Sequence, residues 1–101
     1  MRDGVKLFTQ IYTPKNIKAN RPAILVRTPY GLHPYGSSYS ADIYPSFHFA
    51  KANYILVYQD IRGAFMSEGN FRTISPLLKP SEEGTDEASD SYDTVEWLLK
   101  H

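Results

Sequence analysis

The sequence predicts an α/β fold built on a mostly parallel sheet, and three observations carry that expectation. Ala23-Ile24-Leu25-Val26 and Tyr54-Ile55-Leu56-Val57-Tyr58 are continuous apolar runs of strand length, the pattern of strands covered on both faces. Between them, a stretch from about Ser46 to Ala52 suits a crossover helix, so the two runs read as a βαβ unit, expected to be right-handed. From Asp86 the period becomes helical, with Ala88, Tyr92, Val95 and Leu99 spaced four, three and four residues apart on one face.

The remaining elements follow in chain order. Val5 to Thr13 alternates, with Val5, Leu7, Thr9, Ile11 and Thr13 on one side and Lys6, Phe8, Gln10 and Tyr12 on the other, which predicts a half-exposed, antiparallel strand. Pro14 ends it, and Lys15 to Pro22 is a polar connection. Tyr30 to Ser40 is a glycine- and tyrosine-rich loop. Gln59 to Gly84 is a long, aperiodic connection rich in glycine, proline and serine, of the kind that often carries function. For the last helix, Ser89 or Asp90 can cap the start, and Asp86, Glu87, Asp90 and Asp93 match the positive end of the helix dipole.

At 101 residues the chain is one domain or less. Eleven basic residues balance eleven acidic ones, and no basic run tracks a phosphate backbone, so no nucleic-acid partner is expected. There is no cysteine, which excludes disulfides and thiolate metal sites but leaves the compartment open. No stretch approaches the roughly eighteen apolar residues of a membrane helix, and Met1-Arg2-Asp3-Gly4 lacks the apolar core of a signal peptide. No membrane partner is expected.

Two parallel strands, one half-exposed strand and a terminal helix fall short of a closed domain, because parallel sheets need cover on both faces and neighbours at their edges. Residues 1–101 are therefore expected to be part of a larger domain. The last helix, ending Leu98-Leu99-Lys100-His101 without a cap, is expected to be a cut rather than a finish.

No Gly-x-Ser-x-Gly elbow is present, so the sequence offers no serine on a strained strand-to-helix turn. His33, His48 and His101 are scattered, and none pairs with a carboxylate at a spacing that suggests a base or metal ligand. The acidic residues Glu82, Glu83, Asp86, Glu87, Asp90 and Asp93 lack the spacing of a calcium loop and read as a solvated helix start. Two segments are less easily explained by folding alone: Arg27-Thr28-Pro29-Tyr30-Gly31, and Asp60-Ile61-Arg62-Gly63-Ala64-Phe65-Met66-Ser67-Glu68-Gly69. Each leaves the carboxyl end of a predicted parallel strand, the edge where open α/β sheets bind ligands. Both are expected to face one crevice.

Four segments together resemble one family. They are Met1-Arg2-Asp3-Gly4-Val5-Lys6-Leu7, Arg27-Thr28-Pro29-Tyr30, Gln59-Asp60-Ile61-Arg62-Gly63 with Ser67-Glu68-Gly69, and Asp90-Ser91-Tyr92-Asp93-Thr94-Val95-Glu96-Trp97-Leu98. In this order they resemble the serine hydrolases of the X-Pro dipeptidyl-peptidase, cocaine esterase and α-amino acid ester hydrolase group. The resemblance implies the amino-terminal part of an α/β-hydrolase fold, an incomplete, mostly parallel sheet with flanking helices. It also implies that Tyr30 donates its hydroxyl to the substrate's oxyanion, a role that can lower a barrier by roughly 3 kcal/mol. Taken alone, Tyr30 reads first as a tyrosine packed at a strand end; the resemblance puts the oxyanion role ahead.

Asp60, Arg62 and Gly63 are expected to brace their loop, Arg62 and Asp60 through an ion pair or backbone hydrogen bonds, Gly63 and Gly69 through tight turns. Phe65 is expected to help wall an acyl or leaving-group pocket, and Trp97 to pack within its helix. The resemblance places the nucleophile, acid and histidine beyond His101, in that order, which excludes His33 and His48 from the triad. It implies a small ester, amide or short peptide substrate, including peptides with proline near the terminus, and no metal or organic cofactor. Two rival readings are an inactive truncated remnant and a small module that completes its sheet with another chain. Oligomeric state is left open.

Overall fold

The computed structural model of the protein describes residues 1–16, 20–38, 47–73, 76–79 and 82–101. Ser46, where the crossover helix was expected to start, the loop end at Tyr39 and Ser40, and Lys18 in the polar connection lie outside these residues. The elements are β1 (Thr9–Tyr12), β2 (Ala23–Thr28), α1 (Phe47–Lys51), β3 (Ile55–Asp60) and α2 (Glu87–Lys100). The sheet has the order β1-β3-β2.

Both apolar runs form strands and pair in parallel, Ala23 opposite Ile55 through Thr28 opposite Asp60. The alternating segment forms the antiparallel neighbour of β3, Thr9 opposite Gln59 through Tyr12 opposite Leu56. It is shorter than Val5 to Thr13. Residues 6–8 leave the sheet and lie instead against the loop after β3: the Phe8 carbonyl accepts from the Asp60 N–H, and the Phe8 N–H donates to Ser67 Oγ. The Lys6 carbonyl accepts from the Glu68 N–H.

Central β3 holds the core, with Leu56 and Val57 buried. The expectation that both runs are covered on both faces holds for β3 and not for β2, whose side chains are half-buried because it lies at the sheet edge. One face of the sheet carries α2. There Gln59, almost fully buried, joins all four principal elements through one amide. Its Oε1 accepts from Arg27 Nε at 2.8 Å and Thr94 Oγ1 at 3.1 Å, and its Nε2 donates to Thr9 Oγ1 at 3.0 Å.

Helix α2 departs from expectation twice. Its N-cap is Asp86, in a capping box with Ser89, rather than Ser89 or Asp90. Asp86 Oδ1 accepts the Ser89 N–H at 2.7 Å while Ser89 Oγ accepts the Asp86 N–H at 2.8 Å, so two orphan donors are satisfied reciprocally. Asp86 Oδ2 also accepts the Leu78 N–H, and these backbone donors hold its carboxyl below the usual carboxylate range.

The second departure is in the packed face. Tyr92, Val95 and Leu99 are exposed, and the side facing the sheet is polar, with Asp90 and Thr94 buried. The reason is directional pairing. Arg27 Nη1 donates to Ser91 Oγ, to the Glu87 carbonyl and to Glu87 Oε2, while Arg62 and Gln59 engage Asp90 and Thr94. Trp97 is half-exposed and stacks on His101, ring centroids 4.4 Å apart. Among the described residues no helix is long and apolar enough to cross a membrane.

Candidate active site

The parallel pairing that sets Thr28 beside Asp60 brings both chain exits to one edge of the sheet. After β2 the chain turns at once. Thr28 Oγ1 accepts the Tyr30 N–H at 3.1 Å, and Gly31 sits at φ 87°, where a Cβ would stand 3.1 Å from the Phe65 ring and 3.2 Å from His33 Nε2. After β3 the chain folds into a compact loop. The Gly63 N–H donates to the Glu68 carbonyl, and Ala64 and Ser67 donate back to Ile61 and Ala64. Ser67 Oγ closes it by donating to the Asp60 carbonyl at 2.6 Å.

The two loops touch through aromatic rings. Phe65 stacks on Tyr35 and meets His33 edge-on at 5.6 Å, and His33 meets Tyr35 edge-on at 4.8 Å. Phe65 has φ 48°, a left-handed backbone unfavourable for a bulky residue. The surrounding contacts hold its ring where it is.

Tyr30 is 85% exposed, so its hydroxyl is free to meet a ligand. Its ring stands at an open cavity of about 390 Å³ on the sheet face opposite α2, together with Gln10, Tyr12, Leu32, His33 and Tyr58. The Tyr58 hydroxyl is buried in that wall without a partner among the described residues, and burial, with a smaller effect from Tyr12, pushes its ionisation upward. Phe65 does not line this cavity; its ring lies against Gly31 and His33 of the loop after β2, with 55% of its surface exposed.

Asp60 and Arg62 point in opposite directions. Arg62 reaches to the α2 side, where Nη2 and Nε bind Asp90 at 2.6 and 2.8 Å and Nη1 binds Asp3 at 2.7 Å. Its guanidinium is held well above its ordinary pKa by Asp90 and then Asp3, against the cost of burial. This bidentate geometry suits arginine and a carboxylate. Asp60 is fully buried on the other side of the strand. Its Oδ2 accepts from Tyr35 Oη at 2.8 Å and from the Met66 N–H at 3.4 Å, and its Oδ1 has no donor among the described residues. The two residues thus brace the loop through separate partners and make no ion pair with each other.

A second cavity, of about 460 Å³, is lined in part by Asp3, Arg62, Asp86 and Asp90, each already committed to the partners named above. Tyr35 is a contributor outside the motif segments, and Gln59 and Ser67 lie within them but carried no expected role. Chemically, the exposed edge offers a phenolic donor on a tightly braced turn.

A model of the X-Pro dipeptidyl-peptidase (S15) family matches residues 3–101. Over 100 residues the chain is 33% identical to a cocaine esterase of Rhodococcus sp. (strain MB1 Bresler), covering 99% of this chain and 15% of that protein. It is 39% identical to the crystal structure of an aminopeptidase from a marine sediment archaeon, Thaumarchaeota archaeon, with a TM-score of 0.80, covering 100% of this chain and 18% of the other. It is 38% identical to a selenomethionine-labelled α-amino acid ester hydrolase, with a TM-score of 0.78, covering 100% and 17% respectively. The chain thus spans less than a fifth of the length of these relatives.

Proposed function

The chain belongs to the X-Pro dipeptidyl-peptidase (S15) family, a family of serine hydrolases, and from that premise we propose that it forms the oxyanion side of a serine hydrolase active site. In this reading residues 1–101 are the amino-terminal part of the catalytic domain, and the nucleophile, its base and the acid come from chain beyond them. The substrate is a small ester, amide or short peptide.

One observation carries the reading: Tyr30 projects, exposed, from a tight turn at the carboxyl end of a parallel strand, on a loop that meets the one leaving the neighbouring strand through His33, Tyr35 and Phe65. A serine attacking the carbonyl pushes charge onto the carbonyl oxygen, and a donor fixed beforehand at that point stabilises the tetrahedral intermediate both in acylation and in deacylation. A neutral phenol serves because it donates a hydrogen bond without surrendering its proton. Phe65, against Gly31 and His33, helps wall an acyl or leaving-group pocket, and Asp60, Arg62 and Gly63 hold the loop that carries it. This segment by itself has no activity, since it supplies no nucleophile.

The test is Tyr30→Phe in the whole enzyme. Loss of one oxyanion donor lowers kcat by about 100-fold or more with a chromogenic ester, while KM moves little, because the bond forms in the transition state. An unchanged acylation rate returns Tyr30 to a packing role.

A further inference from the structure

The phenol of Tyr35 occupies a junction that the oxyanion role of Tyr30 leaves unexplained. Its oxygen accepts the Leu32 N–H at 2.9 Å and donates to Asp60 Oδ2 at 2.8 Å. Leu32 is buried, two residues beyond Tyr30, and Asp60 is the fully buried last residue of β3. One hydroxyl therefore ties the turn that carries Tyr30 to the rigid centre of the sheet. The ring is held on several sides as well, edge-on to Phe8 at 5.2 Å and to His33 at 4.8 Å, and stacked with Phe65. Gln10 Nε2 donates to the Pro34 carbonyl and fixes the same loop from β1.

A buried carboxylate is expensive unless donors compensate it. Asp60 has the Tyr35 hydroxyl as its one short donor among the described residues, the Met66 N–H being longer. Sheet packing does not require a charge there, since Leu56, four residues earlier on the same side of β3, is apolar and buried. What the carboxylate supplies is a fixed acceptor at the strand end, which orients the Tyr35 hydroxyl so that its lone pair faces the Leu32 N–H.

We propose that Tyr35 and Asp60 are positioning residues that fix the Thr28–Leu32 turn, so that the Tyr30 hydroxyl is preorganised for the oxyanion. This rests on the oxyanion reading of Tyr30. Preorganisation is what gives such a donor its value, because a donor that must first be ordered loses much of its effect during the reaction.

The experiment uses the whole enzyme and a chromogenic ester, with rates normalised to the burst amplitude so that only folded, competent enzyme is counted. Tyr35→Phe keeps the ring contacts and removes the hydroxyl. It lowers kcat about tenfold with KM within about twofold, a selective loss of transition-state binding. In a Tyr30→Phe background the same substitution has no further effect on kcat, because the group it positions is already gone. Asp60→Ala gives the same selective loss, and Asp60→Asn, which keeps an acceptor oxygen, recovers most of it.

The inference is overturned if Tyr35→Phe leaves kcat unaltered, if its loss multiplies with that of Tyr30→Phe, or if Asp60→Asn is as impaired as Asp60→Ala. The first two arms judge Tyr35 and the third judges Asp60 even where one variant folds poorly. Failure of the parent reading is distinguishable, since it shows as an unchanged rate in Tyr30→Phe alone.

Discussion

Gly63 shows how closely single residues are specified at this edge. It sits at φ 69°, and a Cβ there would collide with the backbone N of Phe71 and the carbonyl carbon of Asn70, with the Phe71 Cα at 2.7 Å. Neither backbone atom can swing aside as a side chain could. Gly63→Ala in the whole enzyme is therefore expected to cost about 3 kcal/mol, combining overpacking with a left-handed alanine, read as a fall in the denaturation midpoint. At Gly69, φ 93°, the nearest atom is the Cγ of Arg62, at 2.8 Å, in a side chain pinned by Asp90 and Asp3, so the same substitution there would disturb that anchor instead of the backbone. The need for turns at these glycines was legible in the sequence. Tyr30 stood out through the segment around it and the family it resembles. Tyr35 did not stand out and Ser67 stood in a motif without a role, because their importance comes from partners 25 and 59 residues away, and neither local pattern nor composition encodes those distances.

At the level of elements, β2 and β3 were read directly from apolar runs, since continuous burial leaves a compositional mark. The helix was equally visible, but the face it packs was not. Spacing of apolar residues assumes that apolar surface faces the sheet, whereas α2 turns Asp90, Ser91 and Thr94 inward to meet Arg62, Arg27 and Gln59. Its outer flank is tied to the chain start by Arg2, whose Nη2 lies 2.7 Å from Asp93 Oδ1. That hydrogen bond holds the Asp93 carboxyl below the usual carboxylate range, against the cost of burial. A depressed folded pKa gives stability that is complete above the unfolded value and disappears as pH falls through the folded one. Asp93→Asn is accordingly expected to lower Tm at neutral pH, with the gap to the parent closing below about pH 4. Parallel melting curves across that range check it, and a gap that widened on acidification would contradict the ion pair.

On the scale of the molecule, the chain supplies a mixed sheet with one covered face and less than a fifth of the length of its relatives. What the sequence conveyed at this scale was topology: two parallel strands, an antiparallel neighbour and one helix beyond. What it withheld was the joint between them, the Gln59 amide: the apolar run stops at Tyr58, so Gln59 reads as the start of the connection, whereas β3 runs on to Asp60 and buries that amide against partners from three other elements. A helix resting on oil-like side chains can slip or roll by small steps. One keyed to an amide, a guanidinium and a carboxylate has no intermediate seat, since each directional bond is lost before a new one can form. Gradual sliding is therefore closed to α2, and the region must open as a latch does, wholly or not at all. Hydrogen exchange on the whole enzyme should then give peptides covering residues 55–60 and 90–98 one shared opening free energy, and that energy should fall for both together in Gln59→Ala.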